Sequence, residues 1–370
     1  GRPAIAVLPF DNLSGDPDQE YCADGFADEL ITLLSASTQF PVIARNSSFT
    51  YKGESVDVKQ VSRELGVRYV VEGSVRKTGD RIRITAQLID ATTGSHVWAE
   101  TYDRHLEDIF EIQDEITEAI VGSMGYALLI SEAKRAVRKD SQHLGAYDCR
   151  MRGLWHAFKA TKEDTRKARA FYEQAITLDP EGAAAFGSLA MAHYADVNRQ
   201  WSDSPERSLT EAFRAAQACV RLNNTNAMGH WAVAWAYSIS GQRDEAIAAA
   251  ELAVELRPSF AEGHQQLGLF LIMTGRYDEG IAHQEKAIQL SPKSWLTSYC
   301  IHCISLGHFG AGRYEDSVKC EKRALQRTPD YWISLGTVSY THLTLPTNRV
   351  AGGGGGGGGG WGWGGGGGGG

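Results

Sequence analysis

The sequence predicts an α/β domain, a mixed sheet with flanking helices, followed by an all-α solenoid of helical hairpins. Three observations carry this. Up to about residue 105, short apolar runs alternate with turn clusters and with helical spacing. Further on, a proline or its substitute recurs after each apolar helix end at a nearly fixed interval. Residues 352–370 are glycine broken only by Trp361 and Trp363, a composition that buries no core and predicts a disordered tail.

The first part reads in order as follows. Ala4 to Phe10 is an apolar run suited to a buried strand. The cluster Asn12-Leu13-Ser14-Gly15-Asp16-Pro17 is a turn, and Tyr21, Phe26, Leu30, Leu33 and Leu34 then fall at helical spacing. Pro41 to Tyr51 begins as a strand. Asp57 to Leu65 is a short helix, with Asp57 able to cap it and Gly66 to end it. Arg68 to Arg76 is a strand, and Thr78-Gly79-Asp80-Arg81 turns it into a second, where Ile82, Ile84, Ala86 and Leu88 alternate with polar residues. A turn at Thr92-Thr93-Gly94-Ser95 leads to a third, His96 to Tyr102. Two βα units followed by hairpin-linked strands imply a mixed, helix-covered sheet. Leu106 to about Lys139 reads as one long helix or a broken pair, with Ile109, Ile112, Ile116, Ala119 and Ile120 on one stripe and a charged, solvent-facing tail over 131–140.

The repeat signal sets the second part. Pro180, Asn224, Pro258, Pro292 and Pro329 each close an apolar helix end and lie 44, 34, 34 and 37 residues apart. A 34-residue period with a closing proline is the tetratricopeptide (TPR) pattern, in which each helical pair buries its stripe on its neighbour. Gly241, Gly275 and Gly312 mark the turns inside pairs. Small residues recur where paired helices approach: Ala168 and Ala175, Ala212 and Cys219, Ala246 and Ala253, Gly280 and Ala287. The departures from 34 are insertions, the longer at 197–205 and the shorter near His308. The division is therefore an α/β domain over 1–140, an array of about five hairpins over 141–335, and a remainder over 336–370. Within that remainder, 338–347 reads as translated library-adapter sequence and the glycine run as its continuation. The chain starts on Gly1 with a strand almost at once, so both ends read as cut.

Over 4–135 the sequence resembles the TolB-amino-terminal-like domain found beside TPR arrays in bacterial proteins. The carrying stretches are AIAVLPFDNLSGDPDQEYCADGFADELI, VIARNSSFTYKG, ELGVRYVVEGSVRKTGDRIRITAQLIDATTGSHVWAETYDR and IFEIQDEITEAI. GLWHAFKATKEDTRKARAFYEQAITLDP is similar to the first TPR of those proteins. Such proteins often bear the name adenylate or guanylate cyclase. The resemblance implies an upstream class III cyclase domain or a winged-helix DNA-binding domain, frequently with a membrane anchor between.

The residues themselves offer little chemistry. Neither G-x-x-x-x-G-K-[ST] nor a G-x-G-x-x-G after a strand is present. Asp11, Asp16, Asp18, Glu20, Asp24, Asp28 and Glu29 read as a helix entrance whose carboxylates suit the helix dipole. Cys300, His302, Cys303 and His308 fall on one predicted helix, where no zinc-knuckle turn is available. Arg45-Asn46-Ser47-Ser48 reads as a loop that bonds its own backbone. No catalytic set, cofactor or metal is expected. A net charge of -8 argues against a nucleic-acid partner. No apolar window reaches the roughly 18 residues of a membrane span. Six scattered cysteines leave the compartment open. The expected partner is a protein or peptide in the TPR groove. By the family pattern, the groove-facing positions of the first helices hold Met191, Tyr194, Trp231, Trp235, Gln265, Leu269, Ile272 and Met273, types that anchor peptides or pack repeats together. A carboxylate-capturing groove is not expected, because Gly153, Gly187 and Trp231 stand where its polar residues would be.

Overall fold

The computed structural model describes residues 3–37, 40–54, 57–105, 109–140, 144–292 and 296–328. Pro329 and the predicted tail lie outside the described residues.

The sheet is mixed. Strands β1 (Ile5–Val7), β3 (Tyr69–Thr78), β4 (Arg81–Asp90) and β5 (Ser95–His105) are neighbours in that order, and the short β2 (Asp11–Asn12) also pairs with β3. The pairings of β1 and β2 with β3 are parallel; the two hairpin pairings are antiparallel. Helices α1 (Glu20–Ser37) and α3 (Val58–Leu65) and the single turn α2 (Arg45–Ser48) complete this part. Asp57 caps α3 by accepting from Lys59 N at 3.0 Å, and Gly66 ends it at φ +66°. Gly73 is required by packing, since a β-carbon there would lie 2.3 Å from the Phe10 ring.

Two expectations are corrected. The stretch after Pro41 makes only a bridge from Val42 to Ile5 before it turns into α2. The polar run explains this: Ser48 Oγ donates to Arg45 O and Thr50 Oγ1 to Ser47 O, so hydroxyls favour local turns over a ladder. The segment 131–140 is only in part a solvated tail: Lys134 and 137–140 are exposed, but one face is not. It ends the single helix α4 (Ile109–Arg138), and Glu132, Ala133 and Ala136 are fully buried.

Helix α4 is about 45 Å long by its residue count and serves both parts of the chain. Ile112, Ile116, Ile120, Met124 and Leu128 fill the sheet's core beside Phe26, Leu30, Leu34, Tyr69, Ile82, Ile84 and Leu88. Its C-terminal turns lie against the first repeat. There the buried Glu132 carboxylate accepts from Tyr69 of the sheet at 2.8 Å, Arg135 at 2.5 Å and Tyr147 at 3.0 Å.

Ten helices in five pairs follow: α5 (Ala146–Lys159) with α6 (Lys162–Leu178), α7 (Ala183–Asn198) with α8 (Pro205–Leu222), α9 (Ala227–Ile239) with α10 (Arg243–Leu256), α11 (Ala261–Met273) with α12 (Tyr277–Leu290), and α13 (Leu296–Gly310) with α14 (Tyr314–Arg327). Gly241, Gly275 and Gly312 turn three pairs at φ +78°, +88° and +77°; Ala160 and Gln200 take the same left-handed region in the first two. The longer insertion forms the α7–α8 turn. Part of the shorter one lengthens α13, which has 15 residues against 13 in α11. Close approach demands small residues: a β-carbon on Gly268 would sit 2.7 Å from Gly280 O, and one on Gly153 would sit 2.4 Å from the Tyr172 ring.

The array also returns to α4. A β-carbon on Gly122 would meet Leu290 O at 2.8 Å and Ser259 O at 3.3 Å. Ser123 Oγ donates to Leu290 O at 3.2 Å, and Lys286 pairs with Glu118 at 2.5 Å. Tyr126 stacks edge-on against Phe158 at 5.6 Å. The linking helix thus touches the first repeat and the end of the fourth.

Candidate partner-binding surface on the repeat array

The eight residues proposed for the groove all lie on the first helices of their pairs: Met191 and Tyr194 on α7, Trp231 and Trp235 on α9, the other four on α11. The structure does not treat them alike. Tyr194, Gln265 and Ile272 are buried, whereas Met191, Trp231, Trp235 and Leu269 are half-buried. Met273 is 56% exposed, an apolar side chain with no packing role that demands it. Tyr194 packs with Ala212 and Ala236 beside Met191 and Trp235, and so joins the second repeat to the third. Trp235 stands edge-on to Phe270 at 5.5 Å, and Trp231 to Phe260 at 5.6 Å.

Polar atoms distinguish these positions further. Trp231 O accepts from Gln266 Nε2 at 3.0 Å, and Gln265 O from Gln284 Nε2 at 2.7 Å, so buried amides lock first helices to their neighbours. By contrast, Trp231 Nε1 is buried with no hydrogen-bond acceptor among the described residues. Close by, the Arg257 guanidinium lies 3.6 Å over the Phe260 ring, and its Nε is likewise buried without an acceptor. Burial pushes that guanidinium down to about 10, although Glu262 opposes the shift. The Trp231 indole and the Arg257 head share one aromatic neighbour and offer donors to an incoming acceptor. Arg257 was not singled out from the sequence, because it sits in the closing turn and not on a first helix.

The other candidate groups have structural partners. His302 Nδ1 bonds the buried Glu321 at 2.8 Å, and His308 Nδ1 accepts from Arg313 Nε at 2.9 Å. Cys300 and Cys303 are buried on the same helix, and burial pushes both thiols up, Cys300 to about 12. Of the acidic set near α1, Glu20 and Asp24 hold Lys52 and Asp28 holds Arg45, which tethers the 45–52 segment to α1. The Arg45–Ser48 stretch is a helical turn, and Ser48 bonds back to its backbone.

Residues 2–119 match the second domain of HilA/YgeH-like transcriptional regulators. Residues 158–181 and 234–294 match two tetratricopeptide-repeat models. A Rhizobium meliloti protein named "Putative adenylate cyclase 3" is 45% identical over 237 residues, 64% of this chain and 40% of that protein. The Tol-Pal system protein TolB of Alkalilimnicola ehrlichii is 27% identical over 133 residues, covering 34% of this chain and 30% of its own. The chain therefore spans well under half the length of these relatives. A TPR protein of Thermus thermophilus superposes with a TM-score of 0.43 at 16% identity, over 54% of this chain and all of its own. No described helix is long and apolar enough to cross a membrane. The helical part of this chain is a tetratricopeptide-repeat array, joined through α4 to an α/β domain.

Proposed function

We propose that this chain is a non-catalytic regulatory module whose first-helix surface, from Met191 to Met273, binds a protein or peptide partner. A TPR fold typically mediates protein–protein interaction, and one observation carries the reading for this chain. The surface combines apolar side chains left partly open with a buried indole donor, Trp231 Nε1, that has no acceptor among the described residues. Buried donors are rarely left unpaired, and a bound backbone carbonyl would satisfy this one. Aromatic and methionine side chains are the types that anchor partners.

The test must spare the fold. Met273→Asp changes an exposed side chain, so circular dichroism should be unchanged. Proteins retained by the wild-type chain from its own host should be lost, as read by quantitative mass spectrometry. Equal retention would remove Met273 from the surface, and the same result with Trp231→Phe would sink the assignment.

The parent protein is read as a cyclase regulated by this module, on the strength of the Rhizobium relative's name. A second reading, the sensor half of a transcription regulator, is favoured by the HilA/YgeH-like match over 2–119. Under either, the purified chain makes no cyclic nucleotide from ATP or GTP. Product formation would show a catalytic site in this chain and overturn the non-catalytic reading.

A further inference from the structure

The second repeat departs from the 34-residue period, and the departure builds a cavity. Between α7 and α8 the chain makes an ordered turn. Gln200 takes φ +56°, and Trp201 N and Ser202 N both donate to Asp196 O, at 2.8 and 3.1 Å. Ser202 Oγ meets Ser208 Oγ at 2.7 Å and accepts from Ser204 N at 3.1 Å. The turn closes one end of a cavity of about 970 Å³ between α6, α7 and α8. That is within the size range of small-molecule sites.

We infer that this cavity binds a small molecule bearing an oxyanion, a carboxylate or a phosphate. Arg166 on α6 and Arg207 on α8 line it, and neither has a hydrogen bond or ion pair among the described residues. Helix α8 starts there at Pro205, and no side chain caps it. Pro205 has no N–H, so the free donors of this first turn are those of Glu206 and Arg207, at the positive end of the helix dipole beside the cavity. Four of the five carboxylates that line the cavity are engaged, Asp196 by Arg169 at 2.8 Å, Glu163 by Lys167 at 2.6 Å, Asp203 by Lys162 at 3.5 Å and Glu211 by Arg214 at 3.0 Å; the fifth, Glu173, has no ion pair among the described residues.

A second observation points the same way. His193 lines the cavity, is only 9% exposed, and holds Nδ1 buried without a partner. A buried imidazole nitrogen left unpaired is costly for a fold that needs nothing more from it. Burial, and the nearby Arg169 charge, keep the ring neutral. A neutral imidazole that carries its proton on Nδ1 can donate from this buried position to a ligand oxygen. A plain TPR turn, such as that at Gly241, requires none of these features.

The experiment is calorimetric titration of the full chain with sodium phosphate and, separately, with citrate, at ionic strength held constant with sodium chloride. Saturable binding of at least one is expected. Phosphate alone would mark a phosphate-bearing ligand, and citrate alone a carboxylate-bearing one; both outcomes support the site. Arg166→Gln with Arg207→Gln changes two exposed side chains and should raise Kd by about ten- to a hundredfold, the loss expected for hydrogen bonds to charged groups. No saturable binding of either anion would overturn the assignment. An unchanged Kd in the double variant would do the same.

Discussion

Gly122 and Gly125 lie one turn apart on α4, and together they isolate one contact of that helix with the fourth repeat. Alanine at either position gains helix propensity of about 1 kcal/mol over glycine. At Gly125 nothing lies within 4 Å of the added β-carbon, so Gly125→Ala should stabilise by roughly that amount. At Gly122 the same carbon would meet Leu290 O at 2.8 Å and Ser259 O at 3.3 Å. Both are backbone atoms that no rotamer change moves aside, and overpacking of this kind costs about 1–3 kcal/mol. The helix gain is common to both variants and cancels in the comparison. Gly122→Ala should therefore be less stable than Gly125→Ala by about 1–3 kcal/mol, read as urea midpoints at an unchanged denaturant slope. If the repeats let go of α4 before the chain unfolds, the same cost appears as faster amide exchange beside Leu290 and Ser259. Equal stability of the two variants, with unchanged exchange at those turns, would refute the docking of α4 on the fourth repeat.

Other outcomes follow from the same structure. His264 is buried, its Nε2 bonds Pro258 O at 2.9 Å, and its Nδ1 meets His283 Nδ1 at 2.9 Å; burial, with His283 beside it, holds it down to about 4. A folded value below the unfolded one means that the stability is present above about pH 6.5 and is lost as pH falls through 4. Wild type should lose up to about 3 kcal/mol across that window that His264→Gln does not; parallel pH curves would contradict this. Gly241→Ala, open but at φ +78°, should cost about 1 kcal/mol, while Ala160→Gly at φ +53° should gain about 0.5 kcal/mol in thermal or urea melts. Gains or losses of the same sign at both would contradict the turn assignment. Trp231→Ala with Trp235→Ala should destabilise by several kcal/mol in urea, since both rings pack on phenylalanines of the next repeat. Lost partner binding in that variant would therefore say nothing about the groove, and an unchanged midpoint would contradict the packing.

What was legible in the sequence was periodic. Period 2 placed the hairpin from Tyr69 to His105, and the recurring proline with its turn glycine placed the helical pairs. Capping chemistry placed α3 between Asp57 and Gly66. The misses are places where tertiary contacts decide. Lys and Arg in 131–140 suggest solvent, but Glu132 is buried because Tyr69 and Tyr147, distant in sequence, converge on it. A strand start after Pro41 was plausible by composition, yet only Val42 finds an edge to bridge. For the proposed groove, family positions name residues on the first helices of their pairs but do not say which side chains stay open. Tyr194 packs the second repeat on the third and Ile272 lies against Gly280 and Gly307, whereas Met273 is left in solvent. The placement of Arg257 over Phe260 was invisible, since a lone arginine in a closing turn carries no pattern.

The central claim, that the first-helix surface is where a partner binds, is tested most directly by site-specific photo-crosslinking in the native host. A photoreactive residue replaces Met273 in one strain and Leu178, which is 51% exposed and on a second helix, in another. The account predicts a discrete adduct with one other protein from position 273 and none from 178. Adducts from neither position, or only from 178, would contradict it.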